Sequence, residues 1–266
     1  MNSLQENLRA VRARIDAAAR AAGRDPADVA LLAVSKTWPA ADVRALAGLG
    51  QRDFGENRVQ ELLEKADELA GADLRWHFVG QLQRNKAAAV ARTGAVVHSL
   101  DRASLAATLD RAGQQAGRPV EVLIQVDLGG PEGQAAARGG ASPDGVPALA
   151  DAVATAPGLR LRGLMAVAPR GERPAPAFAR LAALAERLRA DHPEAVEISA
   201  GMSGDLDEAV TAGATIVRVG TALFGARPLP CGEVEEHQPR ESQQSHEPQA
   251  HRAPGADVTT TVQMRR

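Results

Sequence analysis

Ala30-Leu31-Leu32-Ala33-Val34-Ser35-Lys36-Thr37-Trp38-Pro39 is an apolar run that leads into a lysine and is closed by a proline. Such a run predicts a short strand that is buried on both faces and ends at Ser35 or Lys36. A lysine at the end of a buried strand can project its amine over the sheet edge and act as a nucleophile toward a carbonyl group. Alternatively, Lys36 is a surface lysine whose stem lies along the strand end, and this segment alone favours that interpretation.

Strand-like and helix-like segments alternate after this first strand. Short apolar runs predict strands, and apolar residues spaced three and four positions apart predict helices. The predicted strands lie at 30–36, 53–55, 75–79, 95–99, 120–126, 159–165, 195–199 and 215–219. The predicted helices between and after them lie at 39–46, 56–69, 85–92, 102–116, 145–155, 176–190 and 206–212. This alternation is typical of a parallel sheet that is covered by helices.

The number of strand–helix units indicates the fold. About eight such units in one domain favour an α/β fold, a single closed (β/α)₈ TIM barrel, over an open doubly wound sheet. There is no early Gly-x-Gly-x-x-Gly turn, which argues against a dinucleotide-binding domain. Before the first strand, Leu4, Leu8, Val11 and Ile15 lie on one helical face, so we expect an extra amino-terminal helix that ends near Gly23.

Two segments differ in composition from the rest of the chain. Residues 129–143 are rich in glycine, alanine and proline and predict a mobile loop over the carboxyl-terminal rim of the sheet. From residue 228 onward, Gln, Glu, Pro, His and Ser dominate and apolar periodicity is lost, which predicts disorder. We therefore divide the chain into a barrel at residues 1–227 and a disordered carboxyl-terminal tail at residues 228–266.

Composition limits the classes of function that are open to the chain. It has 266 residues, a net charge of −2 and one cysteine, Cys231. That charge gives no general attraction to nucleic acid or to membranes, and one cysteine cannot form an intrachain disulfide. No apolar run approaches the roughly 18 residues of a membrane span, and the charged amino terminus does not resemble a signal peptide. The spacing of His237, His246 and His251 matches no metal site, so we expect a cytoplasmic protein without a metal.

Two loops of small residues fall where (β/α)₈ barrels commonly bind phosphate, after the seventh and eighth strands. The first loop is Ser199-Ala200-Gly201-Met202-Ser203-Gly204-Asp205, and the second is Arg218-Val219-Gly220-Thr221-Ala222. Glycines let backbone N–H groups approach an anion, and the Ser203 hydroxyl can donate to it. Either loop alone is a weak signal, but their positions together indicate a phosphate site.

Other polar residues are expected at the same rim. Arg218 would point inward just before the second loop, although an arginine there is equally typical of an ion pair with a carboxylate. Asn57, His77 and Ser99 lie at or after the second, third and fourth strands. His77 by itself is more typical of a hydrogen-bonded core histidine, and Met165 at the end of the sixth strand is more typical of packing.

Closure of the barrel would make the first and eighth strands neighbours. Lys36 would then lie close to the phosphate loops, and a ligand that carries both an aldehyde and a phosphate would span the two. Pyridoxal 5′-phosphate (PLP) carries both groups on one ring, and its protein sites combine a Schiff-base lysine with an Asp or Arg at the pyridine nitrogen. The residues therefore predict a PLP site.

Several segments together resemble the pyridoxal phosphate homeostasis proteins, which are related to the amino-terminal domain of alanine racemase. The segments that carry this resemblance are 33–36, 54–61, 76–86, 199–205 and 217–227. The resemblance runs from the first helix to Arg227 and implies a single (β/α)₈ domain. It implies that Lys36 forms the Schiff base and that Arg218 faces the pyridine nitrogen. It also implies a phosphate site at Ser203, Gly220 and Thr221, and a ring lined by Asn57, His77, Ser99 and Met165.

The resemblance implies a protein of intracellular PLP homeostasis that stores the cofactor or delivers it to PLP-dependent apoenzymes, and the lack of an interlocking second domain favours a monomer. The first hypothesis is therefore a non-catalytic carrier. A PLP-dependent amino-acid racemase and a Schiff-base aldolase on the same barrel are the alternatives. The related racemases use a tyrosine from a partner's second domain as the opposing base, and this chain has no tyrosine. An arginine at the pyridine nitrogen also disfavours protonation of that nitrogen. Without a second positioned acid or base, little proton transfer is expected, which favours the carrier over the racemase.

Overall fold

The computed structural model describes residues 2–129 and 139–225, which form a closed eight-stranded barrel surrounded by helices. The predicted tail at 228–266, with its three histidines, and residues 130–138 of the predicted mobile loop lie outside the described residues. No helix in the two described ranges is long and apolar enough to cross a membrane.

Strands and helices alternate around the barrel as the sequence predicts. In the described ranges, the strands are β1 (Ala30–Val34), β2 (Asp53–Glu56), β3 (Arg75–Phe78), β4 (Val96–Leu100), β5 (Val120–Val126), β6 (Leu159–Ala166), β7 (Glu197–Ser199) and β8 (Ile216–Val219). The α-helices there are α1 (Asn2–Ala21), α2 (Ala40–Gly48), α3 (Val59–Glu68), α4 (Ala87–Thr93), α5 (Ala103–Gln115), α6 (Val146–Ala154), α7 (Pro174–Asp191), α8 (Leu206–Thr211) and α9 (Thr221–Phe224). The extra amino-terminal helix is α1.

The strands pair in parallel and in chain order, and β8 pairs with β1 to close the barrel. This closing pair aligns Leu32 with Arg218 and Ala33 with Val219. Because all eight strands run in one direction, their carboxyl ends form a single rim, and the residues that follow each strand meet there. The predicted (β/α)₈ barrel is confirmed.

Side chains along each strand alternate between the helix-covered outside and the barrel interior. Val217 and Val219 lie in the main hydrophobic core, whereas Arg218 between them points into the barrel. The same alternation places His77 of β3 inside the barrel. Barrel interiors of this fold are usually filled by branched apolar side chains, so buried polar groups at these positions need hydrogen-bond partners.

The predicted end of the first strand and the predicted start of the helix after β2 were both wrong. β1 ends at Val34 and not at Ser35 or Lys36, and Glu56 belongs to β2 and not to the following helix, which begins at Val59. The Glu56 carbonyl oxygen accepts a hydrogen bond of 2.9 Å from the Val79 N–H, which extends the strand ladder. Its carboxylate is buried against Lys65, which donates to it at 2.7 Å. In the sequence alone, a charged residue at a strand end resembles the first residue of the next helix. The buried partner of Glu56, Lys65, is visible only in the structure.

Gly163 permits the close approach of β6 to β7. Its φ angle is +150°, and it pairs with Glu197 in the ladder between the two strands. A Cβ atom at this position would overlap the carbonyl oxygen of Glu197. Because that oxygen belongs to the backbone of a paired strand, it cannot rotate away.

We therefore expect Gly163→Ala to lower the free energy of unfolding by at least about 2 kcal/mol, because the new methyl group forces the two strands apart. Gly48→Ala in α2 is the matched control, since nothing lies within 4 Å of a Cβ there. The control is expected to be neutral or stabilising by up to about 1 kcal/mol. Urea unfolding of both variants measures the difference, and equal stability would contradict the close-approach argument.

Candidate functional site

A cavity of about 440 Å³ opens at the carboxyl-terminal rim of the barrel. We call it the rim cavity. Seven of the nine residues that the sequence analysis assigned to a site line it, namely Lys36, Asn57, Met165, Ser203, Arg218, Gly220 and Thr221. They come from five different strand ends, so the barrel brings together residues that lie far apart in the chain.

The structure does not bring His77 and Ser99 into the rim cavity. His77 instead lines a smaller cavity at the opposite, amino-terminal end of the barrel, beside Asp53. Its ring is hydrogen-bonded within the barrel, so the interpretation as a core histidine is the one that the structure shows. Ser99 is buried, and its hydroxyl has no hydrogen-bond partner among the described residues.

Lys36 lies in a tight turn directly after β1. The Trp38 N–H donates to the Ser35 carbonyl oxygen at 3.0 Å, and Thr37 between them has a φ angle of +69°. A β-branched residue with positive φ is strained and persists only where other contacts hold it. Here the Thr37 N–H donates to the Glu61 carboxylate at 2.7 Å. The turn therefore fixes the direction in which Lys36 leaves the strand.

A buried ion pair lies behind this turn. Lys65 Nζ donates to the Ser35 carbonyl oxygen at 2.8 Å and to Glu56 Oε1 at 2.7 Å. The Ser35 hydroxyl donates to the same Glu56 oxygen at 2.6 Å. Burial raises the pKa of the Glu56 carboxyl, although the hydrogen bonds from Lys65 and Ser35 oppose this shift. Ser35, the residue just before Lys36, is thus fixed at its carbonyl oxygen by Lys65 and at its hydroxyl group by Glu56.

The loop after β8 packs directly against β1. A Cβ atom on Gly220 would lie 3.1 Å from the carbonyl oxygen of Val34, so a larger residue there would crowd the strand end. Val34 precedes Lys36 by two residues and lines the same cavity. The predicted phosphate loop and the lysine are therefore neighbours, as closure of the barrel requires.

The loop after β7 is held by an arginine from α1. Arg14 Nη1 donates to the Ser203 carbonyl oxygen at 2.7 Å, and Arg14 Nη2 donates to the Asp207 carboxylate at 2.7 Å. The hydrogen bonds that Arg14 donates to Asp207 raise the pKa of Arg14. The amino-terminal helix thus positions Ser203 at the cavity wall.

Arg218 is a buried cation that lines the rim cavity. It is 6% exposed and donates to the Ser199 carbonyl oxygen at 2.6 Å, the Ser199 hydroxyl at 2.8 Å and the Ala166 carbonyl oxygen at 2.8 Å. Within the described ranges no carboxylate is in ion-pair contact with it, so the ion-pair interpretation does not hold there. Burial lowers the pKa of Arg218 to about 10, although the charge of Asp205 opposes this, and the guanidinium stays protonated at neutral pH. A buried cation of this kind suits an anionic or electron-rich ligand.

Three residues that shape the site were not predicted from the sequence. Trp38 lines the cavity and stacks on Phe224 with ring centroids 5.7 Å apart. Its position two residues after Lys36, in a chain with two tryptophans, was the available signal. Arg14 and Lys65 gave no local signal, because they lie on amphipathic helices whose charged residues are usually solvent-exposed.

Comparison with known proteins extends these observations. Residues 6–228 match the family model for the alanine racemase amino-terminal domain. The pyridoxal phosphate homeostasis protein of Pseudomonas aeruginosa is 49% identical over 230 residues, which cover 85% of this chain and 97% of that protein. The protein of the same name from Escherichia coli K12 is 41% identical over 233 residues, 85% of this chain and 98% of that one. Among solved structures, PLP-bound PipY of Synechococcus elongatus matches with a TM-score of 0.69 and 37% identity, and the match covers 84% of this chain and 100% of PipY.

We expect Lys65→Met to lower the free energy of unfolding by about 3–5 kcal/mol, because it leaves the buried Glu56 carboxylate without its cation. The double variant Lys65→Met/Glu56→Gln should be more stable than Lys65→Met alone, since a neutral amide needs no cation. Lys86→Met, at an exposed lysine, is the control and should stay within about 0.5 kcal/mol of the unmodified chain. Urea unfolding measures all three. A double variant no more stable than Lys65→Met would refute the ion-pair account.

Proposed function

Because the chain belongs to the pyridoxal phosphate homeostasis protein family, we propose that it binds PLP in the rim cavity as a Schiff base with Lys36 and serves PLP homeostasis without robust catalysis. The observation that carries this proposal is that Lys36, Arg218 and the loops at Ser203 and Gly220 line one cavity. The PLP that PipY holds on the same fold supports it.

The residues of the rim cavity fit the chemical groups of this cofactor. Ser203 and Thr221 offer hydroxyl donors to a phosphate, and Gly220 exposes backbone that a side chain would cover. Arg218 offers a cation to the pyridine nitrogen, and its lack of a carboxylate partner among the described residues leaves that charge for a ligand. Asn57 completes the polar wall, while Met165 and Trp38 provide apolar surface for a flat ring.

Lysine placement supports Lys36 as the attachment point. The chain has three lysines, at positions 36, 65 and 86. Lys65 is buried in its ion pair with Glu56, and Lys86 is exposed outside the cavity, which leaves Lys36 as the lysine that lines it. Bound PLP supplies an aldehyde whose carbon forms a C=N bond with the lysine amine, with loss of one water.

The composition of the cavity wall favours a carrier over a racemase. Among the described residues that line it, Lys36 and Arg218 carry the titratable side chains, and no carboxylate or histidine faces the ligand space. Racemisation needs a second positioned acid or base on the opposite face of the substrate, and the chain has no tyrosine to act as one. Lys36 can therefore hold the cofactor, but the described residues of the wall offer no second acid or base for stereochemical inversion.

The proposal also includes the partners of this site. PLP-dependent apoenzymes would be the recipients of the cofactor, and the chain would act as a cytoplasmic monomer. A carrier that passes its ligand on needs an open site, and the rim cavity opens at the surface of the barrel.

We expect Lys36→Ala to abolish the imine absorbance band of the PLP-loaded chain and its borohydride trapping, because the remaining lysines do not line the cavity. Lys86→Ala is the matched control and should keep both signals. Peptide mass mapping after borohydride reduction locates the modified residue. Trapping at position 65 or 86 in the unmodified chain would contradict the assignment.

We expect the loaded chain to restore activity to a PLP-dependent apoenzyme while it racemises none of a panel of amino acids. Chiral chromatography measures racemisation, and light scattering should give the monomer mass of 27.7 kDa. Racemisation that is lost in Lys36→Ala would defeat the carrier assignment and support the racemase.

A further inference from the structure

A continuous chain of hydrogen bonds crosses the barrel interior and ends at Arg218. At the amino-terminal end, Asp53 Oδ1 lies 3.0 Å from His77 Nε2. His77 Nδ1 lies 2.8 Å from His98 Nε2, and His98 Nδ1 lies 3.0 Å from Ser199 Oγ. Ser199 Oγ accepts a hydrogen bond of 2.8 Å from Arg218 Nη1. The rim cavity is thus joined to the opposite end of the barrel.

The residues that these hydrogen bonds connect lie in the barrel interior, where the fold normally places apolar side chains. His98 and Ser199 are fully buried and His77 is 2% exposed, whereas the Asp53 side chain, at 30% exposed, reaches solvent. Burial lowers the pKa of His98 well below its ordinary value, and the neighbouring His77, Arg218 and Arg75 lower it further. The His98 ring is therefore neutral at neutral pH and must be both a donor and an acceptor.

The pairing rules fix the direction of each hydrogen bond when both rings are neutral. The Asp53 carboxylate can only accept, so His77 carries its proton on Nε2 and accepts at Nδ1. His98 must then donate from Nε2 and accept at Nδ1, where the partner is the Ser199 hydroxyl. The Ser199 oxygen keeps its lone pairs for Arg218, which can only donate. The carboxylate at one end thus sets the direction of every hydrogen bond as far as Ser199, and the guanidinium at the other end is compatible with that direction.

We propose that the residues from Asp53 to Ser199 form a relay that positions Arg218 in the rim cavity, and that the Asp53 carboxylate sets the direction of this relay. Asp53, His77, His98 and Ser199 are positioning residues, because none of them lines the rim cavity. The effect on PLP rests on the proposed function, whereas the order of the hydrogen bonds holds with or without a cofactor.

Without the Asp53 carboxylate, the direction of every hydrogen bond in the relay could reverse. An amide at position 53 can donate to His77 Nε2, so His77 would carry its proton on Nδ1 and His98 would carry its proton there too. The Ser199 oxygen would then accept from both His98 and Arg218, and its own hydrogen would lose its acceptor. The contact that orients Arg218 would change, although the altered residue lies at the far end of the barrel.

The test uses ¹⁵N-histidine-labelled full chain without cofactor. Long-range ¹H–¹⁵N spectra report which ring nitrogen carries the proton, and single His→Gln variants assign the signals. We expect His77 and His98 both to carry the proton on Nε2. In Asp53→Asn, His98 should populate the form with the proton on Nδ1. Asp28→Asn removes the same charge at the same opening, outside the relay, and should leave both rings unchanged.

PLP affinity, measured by equilibrium titration, links the relay to the rim cavity. Asp53→Asn should weaken PLP binding about fivefold, the size expected for one lost hydrogen bond, while Asp28→Asn should not. Ser199→Ala, which cuts the relay next to Arg218 with little change in volume, should have a similar effect. The double variant Asp53→Asn/Ser199→Ala should bind PLP no more weakly than either single variant, because both substitutions interrupt the same relay.

Two results would overturn the relay. One is a His98 ring in the unmodified chain that carries its proton on Nδ1. The other is an Asp53→Asn variant with unchanged histidine signals or unchanged PLP affinity. If the unmodified chain binds no PLP at all, the proposed function fails, and the histidine signals alone then decide whether the relay exists.

Discussion

The hydrogen-bonded contact between β1 and β8 is the constraint on which the site depends. It closes the barrel, so that the first strand and the last one, nearly two hundred residues apart in the chain, share one register. Gly220 then lies against the Val34 carbonyl, and the loop after β8 reaches the turn that carries Lys36. An open sheet with the same strands would leave the lysine and the phosphate loop at opposite edges.

The charged side chains at the rim cavity determine which ligand groups it suits. The described wall of the rim cavity presents Lys36 and Arg218, and no carboxylate in the described ranges neutralises Arg218. The buried carboxylate of Glu56, which contacts Ser35 beside Lys36, is instead paired with Lys65 behind the turn. The buried carboxylate of Glu56 thus stabilises the turn, and the cationic side chains of Lys36 and Arg218 are left to contact a ligand. In the PLP complex that we propose, the aldehyde would meet Lys36 and the pyridine nitrogen would face Arg218.

Local patterns predicted most of the fold. Apolar runs such as 30–36 and 120–126 predict strands by themselves, and the alternation of strands and helices predicts the barrel. Seven residues of the rim cavity were predicted from this alternation together with the family resemblance, which alone assigned Met165 to the site. The family resemblance drawn from the motifs is confirmed by the relatives. The position of His77 was harder to predict, because it depends on the register of β3 against β2. That register puts the His77 ring beside Asp53 and away from the rim. Arg14 and Lys65 act through contacts that no local pattern contains.

The most direct measurement of the central claim is a crystal structure of the chain grown with PLP. The account predicts continuous electron density from Lys36 Nζ to a pyridine ring whose nitrogen faces Arg218 and whose phosphate lies between Ser203 and Thr221. A ring bound elsewhere on the barrel, or one in the rim cavity with its phosphate directed away from both loops, would contradict the account.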